Sequence, residues 1–550
     1  MQLLLRPGRT PDRCRLTGFG RVRASLPLPP HGRSIRHRDM LPCDAGSTTW
    51  NHGRIPTGAP TDMDKLKILD ASFLYAETPN TPMNIAAVQH FELPPGREDG
   101  FFDDLKAYID ARVHLIPFMT KRLQATPFGM DHPVWVQDDR FDIDYHVQRT
   151  RVPGPGTQSQ LEQTVARLHE TPLDRSRPLW QYWLIEGLES GHVAWYTKYH
   201  HACIDGMAGQ AIIDILFSDA PEIPAIPAPT MLEAETAPGM LSLLWDATLN
   251  ASTQPVRTAR SLPSLARTAW SLGRRALNRD EAGLGALGQR APKTRFNVAV
   301  GPYRSFAFGS LPLSGLKAVG KPHGCKANDV FMAVCAGALA RHLDERGELP
   351  SRPLIAGAPV SQRVAEDKSM SNQVSMLLTS LETHIVDPVT RMLAIRDSAN
   401  VGKAVVAELA AAGGFDNLSL PGLPTAFQNV MSVADRLRLG DFLPMPLNVV
   451  ISNVPGPRRP VFLNRARMLT HYPVSIPAHG TALNITLQSY QDRMDFSITA
   501  CLDALPDANL LRDAMYDAWA ELQRAAGVDP VPALEPDPSA PTEVASIRAA

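Results

Sequence analysis

Several of the commonest functional signatures are missing from this chain. Its six cysteines (Cys14, Cys43, Cys203, Cys325, Cys335 and Cys501) are dispersed, and no two form a C-x-x-C pair. That excludes the usual zinc spacings and a disulfide framework, and it fits a reducing, cytoplasmic setting. No uninterrupted apolar run reaches the ~18 residues that a transmembrane helix needs, so any membrane contact is expected to be peripheral, at a membrane or lipid-inclusion surface. Charge of one sign is not in excess either: 55 basic against 56 acidic residues leave a formal net charge of −1, which gives no electrostatic reason to expect nucleic acid as a partner. There is no G-x-S-x-G, so a serine-nucleophile elbow has no support.

The first 62 residues are deficient in another way. They hold ten arginines and four aspartates but no lysine, with frequent proline and glycine and no hydrophobic period. This composition predicts a disordered Arg-rich arm, or a non-native upstream extension of a chain starting at Met63, rather than a targeting peptide.

Patterned sequence starts after it. At 550 residues the chain is too long for one core, and two or three domains are expected. Residues 63–220 alternate strand and helix. Ile85–Leu93 reads as a strand, "FFDDLKAYIDARVHLI" as a helix, and "PVWVQDDRFDIDYHV" as strand, turn, strand. "QLEQTVARLHE" is helical, and "PLWQYWLIEGL" and "GHVAWYTKYHH" form two strands meeting near Gly191. Residues 221–300 read as a connection. Five prolines between 221 and 239 mark a linker, and an amphipathic helix over 262–279 follows, with Leu262, Leu265, Ala266, Ala269, Leu272, Gly273 and Ala276 on one stripe. Arg267, Arg274 and Arg275 lie on its polar side, so the stripe packs on the protein or rests on a lipid surface. A second α/β block covers 301–527, including a helix capped by Asn328 or Asp329 and stopped by Gly347. Residues 528–550 are predicted to fray as a disordered tail. The fold class is therefore α/β in two blocks, with any shared cleft between them.

One stretch concentrates chemistry: "YTKYHHACIDGMAGQ", where a strand hands over to a helix. As a metal site, His200, His201 and Asp205 lack a further ligand nearby, and adjacent histidines on a strand face opposite ways. As structure, the histidines satisfy core hydrogen bonds and Asp205 caps the helix. As catalysis, one histidine at the strand end acts as general base, since its ordinary pKa near 6.5 suits proton removal at neutral pH. Gly206 and Gly209 then allow close approach of backbone or substrate. The structural and catalytic readings both survive at this level; metal does not.

HHACIDG resembles the H-H-x-x-x-D-G motif of CoA-dependent acyltransferases, shared with condensation domains of peptide synthetases. "DASFLYAETPNTPMN", "HPVWVQDDRFDIDYHV", "RPLW", "NDVFMAVCAGAL", "PVSQR" and "NVPGP" follow in the order typical of the bacterial wax ester synthase/acyl-CoA:diacylglycerol acyltransferase family. The resemblance spans about residues 63–527. It implies two chloramphenicol-acetyltransferase-like subdomains with the active site at their interface, reached by a tunnel. It also implies transfer of a fatty acyl group from acyl-CoA, a substrate rather than a cofactor, to diacylglycerol or a long-chain alcohol. His201 would be the base, with His200, Asp205 and Gly206 beside it in the motif. Asn328 and Asp329 would support the site from a helix N-terminus. Pro178, Leu179 and Trp180, with Ser452 and Asn453 at the NVPGP turn, would contact substrate or pack beside it. Asn84, Ser452 and Met370-Ser371-Asn372 depart from the usual family pattern, which bears on acceptor preference. Two alternatives stand beside this reading: a transferase of the same fold acting on another hydroxyl or amine metabolite, and a non-catalytic lipid-binding protein.

Overall fold

The computed structural model describes residues 64–538 apart from 98, 205, 227–237, 278–284, 362–373 and 412–422. The expectations for the arm (1–62), for Asp205 and for Met370-Ser371-Asn372 lie outside the described residues.

Chain order gives the strands β1 (Asn84–Glu92), β2 (Lys121–Gln124), β3 (Val134–Gln137), β4 (Val147–Arg151), β5 (Trp180–Glu186), β6 (Val193–His200) and β7 (Arg304–Pro312). They continue as β8 (Ile355–Ser361), β9 (Val374–Ser380), β10 (Val449–Val454), β11 (Phe462–Leu463), β12 (Ala466–Met468), β13 (Tyr472–Val474), β14 (Leu483–Tyr490) and β15 (Arg493–Cys501). One mixed sheet runs β11-β12-β1-β6-β5-β4, with β13 also on β1, and a second runs β7-β15-β14-β10-β8-β9. Alternating and β-branched runs such as "VAWYTKYH" become strands because both faces of β6 are buried between packed layers. Each sheet has its own core. A third cluster joins the two sheets, setting Val88, Ala194 and Tyr196 of the first against Phe306 and Phe308 of the second.

Four expectations need correction. Residues 301–527 do not all belong to a C-terminal half, because β12 and β13 pair with β1 and so extend the first sheet. "DIDYHV" does not open as strand: Asp142 accepts the Asp144 N–H at 3.0 Å and caps a single helical turn, Ile143–His146, before β4 begins. The N-cap position of the helix Ala327–Asp344 is held by neither Asn328 nor Asp329. Lys326 holds the cap position, and Asp329 reaches back to accept its N–H at 2.8 Å. Gly347 does stop that helix, in the left-handed conformation.

The fourth correction is the tail. Residues 529–538 do not fray, because backbone and side-chain partners meet them along the way. Leu534 N–H donates to Ser310, Arg493 donates to the Glu535 carbonyl, and Tyr472 donates to the Pro536 carbonyl at 2.6 Å. Asp537 ends the run, 2.7 Å from His192 Nδ1 and accepting from Ser190 at 2.5 Å. The tail thus clasps the start of β6 to the edge of the second sheet.

This clasp is pH-dependent. The hydrogen bond to Asp537 raises the His192 pKa against the desolvation that lowers it, and nearby Glu92 adds to the rise. Burial opposes ionisation of Asp537, but the bond from His192 and the neighbouring charges outweigh it and hold the carboxyl below its usual range. His90, 3.9 Å away, is pushed down to about 4 by burial and stays neutral. A raised imidazole contributes fully below its unfolded pKa of about 6.5 and loses that contribution as pH rises through the folded value. The depressed carboxyl contributes above about 3.9 and loses it on acidification. Asp537→Ala is therefore expected to lower Tm by about 2 °C at pH 5.5 and by less at pH 8.5. Equal shifts at the two pH values would discount the clasp.

The connection also differs in extent from the expected 262–279 segment. It is one helix, Met240–Leu277, continuing through Pro255 and Pro263. Leu243 and Ala247 are buried, and Leu243 packs on Val134 and Val136, whereas Leu241, Trp245 and Leu249 are exposed at spacings of four. Within the expected stripe only Ala266 is described, and it is exposed, as are Arg267 and Arg274.

Candidate active site

Strand periodicity settles the geometry around the doubled histidine. Trp195, Thr197, Tyr199 and His201 recur at every second residue and all line one cavity of about 150 Å³. His200 faces the other way and is fully buried. β1 and the 179 segment pin the two backbones: His201 N–H donates to the Met83 carbonyl at 2.7 Å, and His200 N–H to the Leu179 carbonyl at 3.0 Å.

The cavity lies on the seam of the two sheets. β1 and β6 supply one wall and β10 and β14 the other, through Ser452, Val454, Thr486 and Gln488. The helix Gly206–Leu216 runs alongside, offering Ile212, Ile213 and Leu216. Gly206 opens that helix directly after the motif aspartate. The surroundings are apolar over most of their length, with a few polar groups gathered near the sheets.

His201 stacks on Phe73, ring centroids 4.0 Å apart and planes within 3°. One face of the imidazole is thereby covered, which fixes its plane while its edge remains at the cavity. His200 does different work. Its Nδ1 accepts the Ala202 N–H at 3.0 Å, so the ring proton sits on Nε2 and is donated to Glu77 at 2.9 Å. Glu77 also takes Arg175 Nε at 3.0 Å. Burial alone would raise the Glu77 pKa, but the hydrogen bond from His200, the nearby Arg175 charge and the Met83 N–H outweigh it and hold the carboxyl below its usual value.

The remaining sequence candidates divide. Ser452 lines the cavity. Asn453, its neighbour, faces away and donates to the Asn328 side chain at 3.0 Å, so these two tie β10 to the start of the helix Ala327–Asp344. Pro178, Leu179 and Trp180 do not line the cavity. Leu179 and Trp180 are fully buried, and Trp180 donates to the Met119 carbonyl and stacks on His146. Asn84, also buried, lies opposite His200 in the β1–β6 ladder and donates to the Thr171 carbonyl.

Two neighbours of the doubled histidine escaped the sequence reading. Glu77 lies inside the "DASFLYAETPNTPMN" block, so a signal was present, but nothing local links residue 77 to residue 200. His471 brings a second imidazole to the cavity, hydrogen-bonded to Gln89 at 3.4 Å, and burial pushes its pKa down to about 3. Among the described residues no group of three or more His, Cys, Asp or Glu could hold a metal ion.

Comparison with known proteins agrees with this geometry. The model of the wax ester synthase/diacylglycerol acyltransferase catalytic domain matches residues 66–331, and that of the corresponding C-terminal domain matches residues 370–523. A putative diacylglycerol O-acyltransferase of Mycobacterium tuberculosis is 35% identical over 470 residues, which is 84% of this chain and 99% of that protein. A putative diacylglycerol O-acyltransferase of Mycobacterium bovis is 35% identical over 474 residues, covering 85% of this chain and 100% of that protein. The solved wax ester synthase/diacylglycerol acyltransferase from Marinobacter aquaeolei VT8 superposes with a TM-score of 0.60 at 28% identity, over 84% of this chain and 100% of that one. The first condensation domain of the calcium-dependent antibiotic synthetase shares the fold, with a TM-score of 0.50 at 15% identity over 85% and 97%. The α/β pairing of two chloramphenicol-acetyltransferase-like sheets is thus the architecture of this chain.

Proposed function

The chain belongs to the wax ester synthase/diacylglycerol acyltransferase family, and from that premise we propose that it moves a fatty acyl group from acyl-CoA to diacylglycerol, a long-chain alcohol, or both. The observation that carries this reading is His201 at the edge of an apolar cavity between the sheets, its ring plane held by Phe73.

The chemistry needs one base. The acceptor hydroxyl gives its proton to the His201 imidazole as its oxygen bonds to the thioester carbonyl carbon. The tetrahedral intermediate collapses, the carbon–sulfur bond breaks, and the CoA thiolate takes the proton back from the imidazolium. Ester and CoA thiol leave, and the enzyme is unchanged. His200, through Glu77, holds the turn that presents His201, and it touches no substrate. The following helix opens at Gly206, and the Asn328–Asn453 pair keeps β10 in register at the cavity wall. The apolar lining suits acyl chains, and a dry site strengthens the electrostatics of proton transfer.

Purified protein with palmitoyl-CoA and either dioleoylglycerol or hexadecanol should release thiol and form ester. Absence of thiol release above background with both acceptors would overturn the proposal.

Acceptor and product both partition into lipid, which favours work at a lipid surface. No described helix is long and apolar enough to cross a membrane. The stripe Leu241, Trp245 and Leu249 supports peripheral contact instead, since an exposed apolar face on a helix that is buried on its other side gains from insertion. Leu241→Ser with Trp245→Ser is expected to reduce co-flotation with liposomes several-fold. Unchanged flotation would move the contact elsewhere.

A further inference from the structure

A second cavity, of about 430 Å³, lies between the helix Phe101–Asp110, Ile223 and the turn joining β11 to β12. It differs in character from the catalytic one. Three arginines line it, Arg97, Arg112 and Arg465, against one carboxylate, Asp104, which pairs with Arg97 at 3.0 Å.

Arg112 is the informative member. It is only 3% exposed, and its guanidinium lies 3.5 Å over the ring of Tyr108. Two of its nitrogens donate to carbonyls, those of Tyr108 and Pro224, at 3.2 and 3.1 Å. Its Nε–H has no partner, and among the described residues no carboxylate pairs with it. The Tyr108 carbonyl is at a helix C-terminus, where a cation is favoured, but that end carries only about half a charge. A buried guanidinium left with an unsatisfied donor and uncompensated charge is costly unless an anion joins it. Opposite it, Asn464 and Arg465 occupy the two-residue turn, both with positive φ (45° and 72°). Glycine is the usual residue at such a position, and arginine there is uncommon.

We propose that this cavity binds a phosphate monoester. A planar guanidinium presents paired N–H groups that match phosphate oxygens, and Arg465 and Arg97 add charge at the rim. Phe101, Ile223 and Pro94 give the cavity an apolar wall, so the phosphate arrives on an organic body: a nucleotide or an acidic lipid headgroup. Such a ligand would be felt in the catalytic cavity. Tyr108 donates its hydroxyl proton to the Leu216 carbonyl at 2.9 Å, and the Leu216 side chain lines that cavity. The proposal does not depend on the acyl-transfer reading.

The test uses the full chain at low salt, with calorimetric titration by inorganic phosphate and by adenosine 3′,5′-bisphosphate. In parallel, sedimentation compares phosphatidylcholine vesicles with and without phosphatidic acid. Saturable binding of either soluble probe, weakened about tenfold or more in Arg465→Glu, supports the site and names a free phosphate as its source. Binding only to phosphatidic acid vesicles, weakened likewise, supports it with a lipid source. Arg465 is exposed, so its variant retains the fold; Arg112→Met is read alongside it if its thermal melt is cooperative. Absence of binding in every arm overturns the proposal. So does equal binding by Arg465→Glu and wild type, or equal weakening by Arg524→Glu, a distant exposed control.

Discussion

His201→Ala is expected to lower acyl-transfer turnover by about two to four decades, the usual range for losing a general base. Because the ring stands at a cavity wall, its removal should leave the thermal melt close to wild type. The measurement is thiol release from palmitoyl-CoA under saturating acceptor, with the melt as control. His471 makes the result discriminating. It is a second imidazole in the same cavity, yet burial depresses its pKa to about 3, too weak a base to take a hydroxyl proton well near neutrality. His471→Ala should thus cost far less. If the two variants lose turnover equally, the base has been assigned to the wrong ring.

Glu77→Ala is expected to reduce stability by about 3 kcal/mol, the range for removing one partner of a buried charged hydrogen-bond network. It strips the acceptor from His200 Nε2–H, which has no solvent to turn to, and from Arg175 and the Met83 N–H. Turnover should fall as well, since the His200–Glu77 bond holds the strand end from which His201 projects. Glu77→Gln keeps an acceptor oxygen and should lose less of both. Linkage gives the experiment a sign. A carboxyl held below its unfolded pKa contributes above about pH 4.3 and loses that contribution as pH falls through the folded value. The urea-unfolding gap between wild type and Glu77→Ala should therefore narrow on acidification below about pH 4. A gap that is absent at pH 7 would mean that Glu77 does not support the turn.

Much of the site was legible because it is local. Two-residue periodicity along "YTKYHH" assigns adjacent histidines to opposite sides whatever the rest of the chain does, and a strand running into an apolar 3.6-residue repeat marks a strand-to-helix turn. The same local rules located the helix Gln158–Glu170 and the strands that became β1, β5 and β6. They failed where one side chain overrode the pattern: Asp142 capped a helical turn inside an alternating stretch. They failed also at the C-terminus, where a proline-rich composition hid a run whose partners lie far back in sequence, at Ser190, His192 and Ser310.

The sequence by itself determined which residue types stand at the strand end, that the two histidines are unequal, and which family the chain resembles. Only the tertiary structure decided that Glu77 holds His200, that His471 shares the cavity with His201, that β12 and β13 cross to the first sheet, and that Arg112 is buried beside a second cavity. The physical reason is the same in each case. Backbone periodicity is written within a few neighbouring residues, whereas a hydrogen bond between residues 77 and 200, or 89 and 471, leaves no local pattern and exists only once the sheets have packed.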